Sequence, residues 1–225
     1  MLNIFKKILI YILFFYSLSN YYEFFRWYLG DDQMIIEDAY QLSLLSSIPM
    51  FIVIFLIHLF YYPKDNSDRA NVISFPPIIF LFSMNLAFTV SMSNMYYFQI
   101  YELPEILNIF RSTYMGLLLI IFALIIFNFS LKEFNKNNED PIPTSPSNLI
   151  IDYGIYSLTR NPMYLALLIM QIGIGMILSV IHIIIFTLIT YFVLKYYVIF
   201  PEEEYLENKF GDEYIKYKDS VNRWI

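Results

Sequence analysis

The sequence predicts an all-α protein that crosses a membrane about six times. Hydrophobic residues make up 58% of the 225 residues, and charged residues only 15%. A water-soluble domain of this size could not bury so much apolar surface. The apolar residues also fall into runs near the ~20 residues that a helix needs to cross ~30 Å of hydrocarbon. We predict spans at roughly 8–27, 40–61, 75–97, 109–130, 163–178 and 180–200.

The first apolar run follows Lys6 and Lys7, an arrangement shared with signal peptides. No small-residue cleavage pattern follows the run, and Tyr21, Tyr22 and Glu23 do not suit one. We therefore expect a retained first transmembrane helix.

The distribution of charged residues predicts the orientation in the membrane. With six crossings, one face carries most of the basic residues, namely Lys6, Lys7, Lys64, Arg69, Lys132, Lys136, Arg160, Lys209, Lys216, Lys218 and Arg223. The loops on the opposite face carry Asp31, Asp32, Glu37, Asp38, Glu102 and Glu105. By the positive-inside rule, both termini and the sites near them are expected to be cytoplasmic.

Composition also argues against several functions. The formal net charge is −6 and no basic patch is present, so nucleic-acid binding is not expected. The chain has no cysteine, which excludes disulfides, thiolate metal sites and a cysteine nucleophile. His58 and His182 stand alone in different segments, so no metal site is expected.

The chain divides into three regions. Residues 1–134 form an N-terminal membrane region with four spans, and residues 135–148 form a cytoplasmic loop that contains three prolines and many polar residues. Residues 149–225 hold the last two spans and the polar motifs. Because only 178–180 separate these two spans, we expect either a tight helical hairpin or a re-entrant pair.

Span three is unusually polar for a membrane helix, since it contains Ser83, Asn85 and Thr89 among other polar residues. Such side chains commonly form hydrogen bonds between helices, and the alternative is the lining of a substrate channel.

An amphipathic C-terminal helix is predicted after the last span. Aromatic and apolar residues recur at spacings of three and four, with charged residues between them, at Phe210, Tyr214, Tyr217, Val221 and Trp224. Gly211 is expected to interrupt this helix. It could be an interfacial anchor or a lid over a neighbouring site.

Two polar motifs bracket the hairpin. Arg160, Asn161 and Pro162 precede span five, where they could simply begin a helix, or could bind a carboxylate at its N-terminus together with Tyr156 and Tyr164. The run Glu202–Glu204 follows span six. It could be a solvated helix start, or one carboxylate could hold the ribose hydroxyls or amino group of a cofactor.

Together these motifs resemble the isoprenylcysteine carboxyl methyltransferases, a membrane family related to phosphatidylethanolamine and small-thiol methyltransferases. The family pattern has Gly-x-Tyr, Arg-His-Pro-x-Tyr, a helical hairpin, Glu-Glu-x-x-Leu, Phe-Gly-x-x-Tyr-x-x-Tyr and Val-x-Arg. The matching segments here, in the same order and spacing, are 154–156, 160–164, 202–206, 210–217 and 221–223. The resemblance covers about the C-terminal half of the chain.

The resemblance implies S-adenosylmethionine as cofactor. It implies a cofactor site at Asn148, Leu149, Ile150, Ile151, Tyr156, Asn161, Pro162, Met163, Tyr164, Glu202 and Glu203. Arg160 would be the catalytic residue and would orient the substrate. Two positions depart from the family, because its histidine is Asn161 here and its substrate-contacting arginine is Val198. Lys195, Arg160 and Arg223 are therefore the substrate-binding candidates.

We expect a membrane methyltransferase similar to the isoprenylcysteine carboxyl methyltransferases, which uses S-adenosylmethionine to methylate a lipophilic carboxylate acceptor from the bilayer. A carboxylate acceptor needs no general base, since it is ionised at neutral pH, and the sequence offers no clear base. The alternatives are phospholipid N-methylation, thiol S-methylation, an NADPH-dependent reductase of the sterol-reductase type, and a non-catalytic membrane protein.

Overall fold

The computed structural model describes residues 2–30, 34–64, 68–98 and 105–224. Its α-helices are α1 (Leu2–Leu29), α2 (Ile36–Tyr61), α3 (Pro76–Phe98), α4 (Thr113–Lys136), α5 (Pro162–Ile177), α6 (Ile181–Leu194), α7 (Phe200–Phe210) and α8 (Asp212–Ser220). Short 3-10 helices occur at Glu105–Phe110 and Gly154–Ser157, and the π-helical turn Lys195–Ile199 joins α6 to α7. The described residues contain no β-strand, so the predicted all-α class is confirmed. Asp31, Asp32 and Glu102, which were used to predict the orientation, lie outside the described residues.

Five helical stretches are long and apolar enough to cross a membrane, and they are Ile4–Leu29, Ile36–Tyr61, Pro76–Phe98, Thr113–Lys136 and Ile181–Phe210. The apolar helix α5 has 16 residues and reaches only ~24 Å at ~1.5 Å per residue. The protein is therefore an integral membrane protein by the length and composition of its helices, while the sixth crossing stays a prediction.

Helices α5 and α6 form a hairpin whose turn lies at residues 178–180. The turn is closed by a hydrogen bond from the Val180 amide to the Gly175 carbonyl (3.0 Å), and Ser179 takes a left-handed backbone conformation with φ of 54°. At the other end of the hairpin, Tyr164 of α5 contacts Glu202 of α7. The chain thus returns to the face from which α5 began.

Close contact between α4 and α5 depends on two glycines. A Cβ atom built on Gly116 would lie 2.7 Å from the Gly173 carbonyl oxygen, and one built on Gly173 would lie 2.8 Å from the Gly116 oxygen. Small residues at such crossings let two membrane helices approach with their backbones in contact. This packing sets the position of α5, whose N-terminus carries the first polar motif.

Hydrogen bonds between polar side chains connect α3 to α5 and α6. The Thr190 hydroxyl contacts Ser83 (2.6 Å) and Gln171 (2.9 Å), and the Gln171 amide donates to the Ile183 carbonyl (3.2 Å). Asn85 accepts a hydrogen bond from Tyr21 and donates to the Ser47 carbonyl. The predicted interhelical hydrogen bonds of span three are thus present for Ser83 and Asn85.

Candidate active site

An ion-pair cluster joins the two motifs that bracket the hairpin. The Arg160 Nη2 atom lies 2.9 Å from Glu203 Oε1, and the Arg223 Nη2 atom lies 2.6 Å from Glu203 Oε2. The side chains of Arg160 and Glu203 are only 8% and 9% exposed. One buried carboxylate therefore lies between two guanidinium groups, which satisfies the rule that buried charges are paired.

The guanidinium of Arg160 is held by further contacts. Its Nη1 atom donates to the Lys218 carbonyl (2.6 Å) and the Val221 carbonyl (2.7 Å), and its Nε and Nη2 atoms donate to Glu203. Because a guanidinium has five N–H donors, these four bonds leave at most one for a substrate. Arg160 thus connects the C-terminal segment to the start of α5. Its predicted role as the catalytic residue stays a proposal.

The segment after α8 lies against the residues before α5. The Arg160 amide donates to the Asn222 carbonyl (3.0 Å), the Thr159 hydroxyl donates to the Arg223 carbonyl (3.0 Å), and the Asn161 side-chain amide donates to the same carbonyl (3.3 Å). Asn161 lies directly before Pro162, the first residue of α5, and its side chain makes no N-cap hydrogen bond. Its side chain therefore contacts the C-terminal segment, and it also lines the cleft described below.

Glu202 has a different partner from Glu203. The Tyr164 hydroxyl donates to Glu202 Oε2 at 2.6 Å, so the first carboxylate of α7 contacts α5 directly. The ion pair with Arg160 forms through Glu203, because successive residues of α7 point in different directions.

A cleft of about 890 Å³, part of which is open to solvent, lies between these residues and the Pro-rich loop. It is lined by ten of the eleven predicted cofactor residues, namely Leu149, Ile150, Ile151, Tyr156, Asn161, Pro162, Met163, Tyr164, Glu202 and Glu203, and also by Arg160. Asn148 does not line the cleft, but its backbone amide donates to Glu139 Oε2 (3.1 Å), which does. The structure therefore brings together residues that are more than 50 positions apart.

Two further predicted residues lie outside the cleft. Lys195 is in the π-helical turn, where its Nζ atom lies 5.4 Å from the ring centre of Tyr196 and 5.9 Å from that of Phe200. The Arg223 guanidinium lies 4.6 Å from the ring centre of the same Phe200. These two candidate substrate-binding residues thus share an aromatic neighbour rather than a position in the cleft.

The Pro-rich loop supplies site residues that the sequence analysis missed. Glu139, Asp140, Pro141, Ile142, Pro143 and Ser147 all line the cleft. Tyr205 of α7 fixes this loop, since its hydroxyl accepts from the Ser147 amide (3.2 Å) and donates to the Asp68 carbonyl (3.5 Å). The sequence analysis predicted a cytoplasmic loop over residues 135–148 but assigned no site residue to it before Asn148.

Helix α8 closes another side of the cleft through Tyr214 and Tyr217. The Tyr217 hydroxyl donates to the Tyr156 carbonyl (2.8 Å). Burial raises the pKa of Tyr156, Tyr214 and Tyr217 well above the usual range of a phenol. These hydroxyls therefore stay protonated, so they can donate hydrogen bonds but cannot act as bases.

The surroundings of the first residue of the second 3-10 helix require a glycine. Gly154 has φ of +63°, and a Cβ atom there would lie 2.8 Å from Glu133 Oε1. Glu133 is held in turn by Lys136 Nζ at 2.8 Å from each carboxylate oxygen. Any larger residue at Gly154 would thus meet both steric overlap and an unfavourable backbone conformation, and it would displace Tyr156, two residues on.

Comparison with known proteins finds a similarity to one family. Residues 112–213 match the model of the family described as phospholipid methyltransferase. The C-terminal region is therefore similar to this family of membrane methyltransferases. The match extends from the residue before α4 to the start of α8, so it contains the hairpin, the Pro-rich loop and both polar motifs.

A second similarity involves a shorter protein. The chain is 43% identical over 67 residues to an uncharacterized protein of Haemophilus influenzae, a match that covers 28% of this chain and all of the relative. No solved structure matches the chain.

The residues of the cleft suit the cofactor that such methyltransferases typically use. S-adenosylmethionine carries an amino group, two ribose hydroxyls, a positively charged sulfur and an adenine ring. The cleft offers carboxylates at Glu139, Asp140, Glu202 and Glu203 for the polar and cationic groups, and apolar side chains such as Leu149 and Leu206 for the ring. Among the described residues, no group of three His, Asp or Glu side chains could hold a metal ion.

Proposed function

We propose that this membrane methyltransferase uses S-adenosylmethionine to methylate the amine of an aminophospholipid. The observation that carries the proposal is the negative charge of the cleft, since its four carboxylates outnumber the two guanidinium groups, Arg160 and Arg223, that both pair with Glu203. Such a cleft attracts a positively charged acceptor and repels a carboxylate. The similarity to the phospholipid methyltransferase family agrees with this choice.

The residues of the cleft would bind both the cofactor and the acceptor. Glu139 and Asp140 lie on the loop side and can hold the ribose hydroxyls of the cofactor. Glu202 lies on the hairpin side, where its carboxylate can contact both the amino group of the cofactor and the nitrogen of the acceptor. When bound, S-adenosylmethionine supplies a methyl group on a positively charged sulfur. The protein contributes alignment and exclusion of water, and good alignment of reactants can lower a barrier by roughly 7–11 kcal/mol.

An amine acceptor must lose a proton before it can attack, so the site needs a base. Glu202 is our candidate, because its carboxylate lines the cleft and is positioned by the Tyr164 hydroxyl on Oε2. The proton would pass from the lipid ammonium group to this carboxylate, and the neutral nitrogen would then be the nucleophile. The buried phenols of Tyr156, Tyr214 and Tyr217 cannot take that role, since they keep their own protons.

A carboxylate acceptor, as in the isoprenylcysteine carboxyl methyltransferases, is the second candidate. It is favoured by Lys195 and Arg223, two cationic side chains that share the ring of Phe200 beside the cleft. The cleft carboxylates would attract an amine, and the Lys195 and Arg223 side chains would attract a carboxylate. Identification of the methylated acceptor therefore distinguishes the two candidates. In both cases we propose that the cleft faces the cytoplasm, on the basis of the lysine and arginine distribution.

Two measurements test the proposed function. Calorimetry of the purified protein should detect binding of S-adenosylmethionine. Protein in phosphatidylcholine vesicles that contain phosphatidylethanolamine should then transfer a labelled methyl group to the ethanolamine nitrogen. A farnesylcysteine is added to the same vesicles as a competing acceptor. If the label appears on farnesylcysteine and not on the ethanolamine lipid, the carboxylate candidate is supported instead. Absence of cofactor binding would reject both.

A further inference from the structure

A second, apolar cavity lies between α2, α3 and α6, away from the carboxylates of the cleft. It encloses about 1340 Å³, including its open side, and its walls include Phe51, Phe55, Ile78, Phe82, Ile189 and Val193. Several of these side chains are exposed, such as Phe55 and Phe82. Since all three helices belong to stretches able to cross a membrane, this groove opens toward lipid rather than water.

The length of the groove matches one leaflet of a bilayer. Its wall on α3 extends from Ile78 to Leu86, and its wall on α2 extends from Phe51 to His58. At 1.5 Å per residue these walls are about 10–12 Å long. The hydrocarbon of one leaflet is about 15 Å thick, half of a ~30 Å core. The groove therefore suits a hydrocarbon chain of a lipid from a single leaflet.

The two ends of the groove differ in polarity. At one end, the His58 Nδ1 atom and the Ser74 hydroxyl form a hydrogen bond of 2.9 Å. The opposite end is apolar and is formed by Phe51, Leu86 and Phe186. Ser83 and Thr190 lie between the two ends, and their hydroxyls bond to each other and to Gln171 within the helix bundle. Because these inner hydroxyls already have partners, they leave an apolar wall for the chain. Among the described residues that line the groove, the polar pair at its end is therefore His58 and Ser74, next to the C-terminal end of α2.

The polar end lies at the same face as the cleft. The segment that carries Ser74 also supplies the Ile73 amide, which donates to the Tyr197 carbonyl of the π-helical turn (2.9 Å). The same loop supplies Asp68, whose carbonyl accepts from Tyr205 of the cleft. One apolar cluster separates the two cavities, since Ile79 of the groove and Tyr164 of the cleft both belong to it.

We infer that this groove binds an acyl chain of the methyl acceptor, with the head group leaving at the His58–Ser74 end toward the cleft. This inference rests on the proposed methyltransferase function, because it assigns a position to the lipid part of that enzyme's acceptor. It also gives α2 and α3, which lie outside the segment that matches the family, a function in substrate binding.

Adjacent residues of α6 provide a matched test. Ile189 lines the groove and is 47% exposed, whereas Leu188 is 61% exposed and does not line it. Ile189→Trp should fill the groove, and Leu188→Trp should place the same indole in the surrounding lipid. Both variants introduce an apolar ring at a lipid-accessible position, so both are expected to fold.

The probe is phosphatidylethanolamine with a photoreactive diazirine in one acyl chain, present as a minor component of phosphatidylcholine vesicles. After illumination, mass spectrometry should locate most labelled residues on the groove walls of α2, α3 and α6. Ile189→Trp should reduce this labelling about tenfold, equivalent to ~1.4 kcal/mol of binding, while Leu188→Trp leaves it unchanged. Labelling spread equally over the exposed face of α4, including Leu118 and Phe122, would mean ordinary bilayer lipid only and would overturn the inference.

Calorimetry with S-adenosylmethionine separates this result from the proposed function. Both tryptophan variants should keep the cofactor affinity of the parent protein. Groove labelling without cofactor binding would reject the methyltransferase proposal and, with it, the assignment of the groove to an acceptor. Cofactor binding with labelling insensitive to Ile189→Trp would reject the groove assignment alone.

Discussion

Arg160 and Glu203 are 43 positions apart in the chain, yet they form a buried ion pair that connects the start of α5 to the start of α7. Arg223 contacts the other oxygen of the same carboxylate, so the C-terminal segment is part of the cluster. A carboxylate between two guanidinium groups stabilises the arrangement only while all three are present, because removal of one partner leaves buried charge without compensation.

The first prediction concerns this cluster. Glu203→Gln should loosen the C-terminal segment, because it leaves Arg160 and Arg223 close together without their shared carboxylate. Breaking a buried pair in this way costs about 3–5 kcal/mol. Hydrogen exchange monitored by mass spectrometry should show faster exchange of amides in α8 and in residues 221–223. Glu204→Gln is the control, since Glu204 is exposed, and equal exchange in the two variants would contradict the prediction.

A second prediction concerns the cofactor. Glu202→Gln should weaken the binding of S-adenosylmethionine, because it removes a charge-assisted hydrogen bond worth about 1.5–3 kcal/mol, or roughly 10- to 150-fold in Kd. Calorimetry would measure the change. Glu204→Gln is again the matched control, because Glu204 lies two residues further along α7 and is exposed. Glu207 would be a poorer control, because it pairs with Lys218 at 2.7 Å. Equal Kd values for Glu202→Gln and Glu204→Gln would remove Glu202 from the site.

The third prediction compares two glycines of α5. Gly173→Ala should destabilise the protein, because its Cβ would meet the Gly116 carbonyl oxygen at 2.8 Å and backbone cannot easily move away. Gly175→Ala should cost less, since the nearest atoms are side-chain atoms of Ile184 and Ile183. Overpacking of this kind typically costs 1–3 kcal/mol. Thermal unfolding in detergent should therefore give the lower Tm for Gly173→Ala, and the reverse order would contradict the proposed α4–α5 contact.

The sequence predicted the helices well, because an apolar run of membrane length satisfies its backbone hydrogen bonds within the segment only as an α-helix. The hairpin turn at 178–180 and the positions of α1 to α3 agree closely with the expected spans. Span four was predicted to begin at 109, but α4 begins at Thr113 after a 3-10 helix over Glu105–Phe110, since hydropathy does not distinguish helix types.

Most of the candidate cleft could be predicted from motifs, but its contacts could not. The motifs did not show which of the neighbouring acids pairs with Arg160, because a difference of one residue changes the direction of a side chain on a helix by about 100°, and the structure shows Glu203. The contribution of Glu139 and Asp140 was missed because their loop has no periodic pattern. The π-helical turn over Lys195–Ile199, which buries Val198 and Ile199, also left no sequence signal that we recognised.

The fourth prediction concerns orientation in the membrane. The distribution of basic residues places the α7 end of the chain in the cytoplasm and the loop before α4 on the opposite side. Single cysteines can test this, because the chain contains none. Asn208→Cys and Asn108→Cys are matched substitutions at exposed positions. A membrane-impermeant maleimide should label only Asn108→Cys from outside intact cells and should reach Asn208→Cys only after lysis. Labelling of both from the same side would contradict six crossings.

The last prediction concerns α8 as a cover for the cleft. Its tyrosines Tyr214 and Tyr217 line the cleft, and the Tyr217 hydroxyl donates to the Tyr156 carbonyl at 2.8 Å. Truncation after Lys209 removes both tyrosines and also Arg223, which opens the cleft to water. We expect S-adenosylmethionine binding to be lost in calorimetry.

A milder variant distinguishes loss of the cover from general unfolding. Tyr217→Phe removes one hydrogen bond, worth about 0.5–1.5 kcal/mol, and keeps the aromatic ring. It should weaken cofactor binding by a few-fold and leave the exchange protection of α4 to α6 unchanged. Lys216→Ala, at an exposed position of the same helix, should have no effect on either measurement. If the protein truncated after Lys209 keeps its full affinity for S-adenosylmethionine, α8 is an interfacial anchor, and the cleft must be closed by the Pro-rich loop alone.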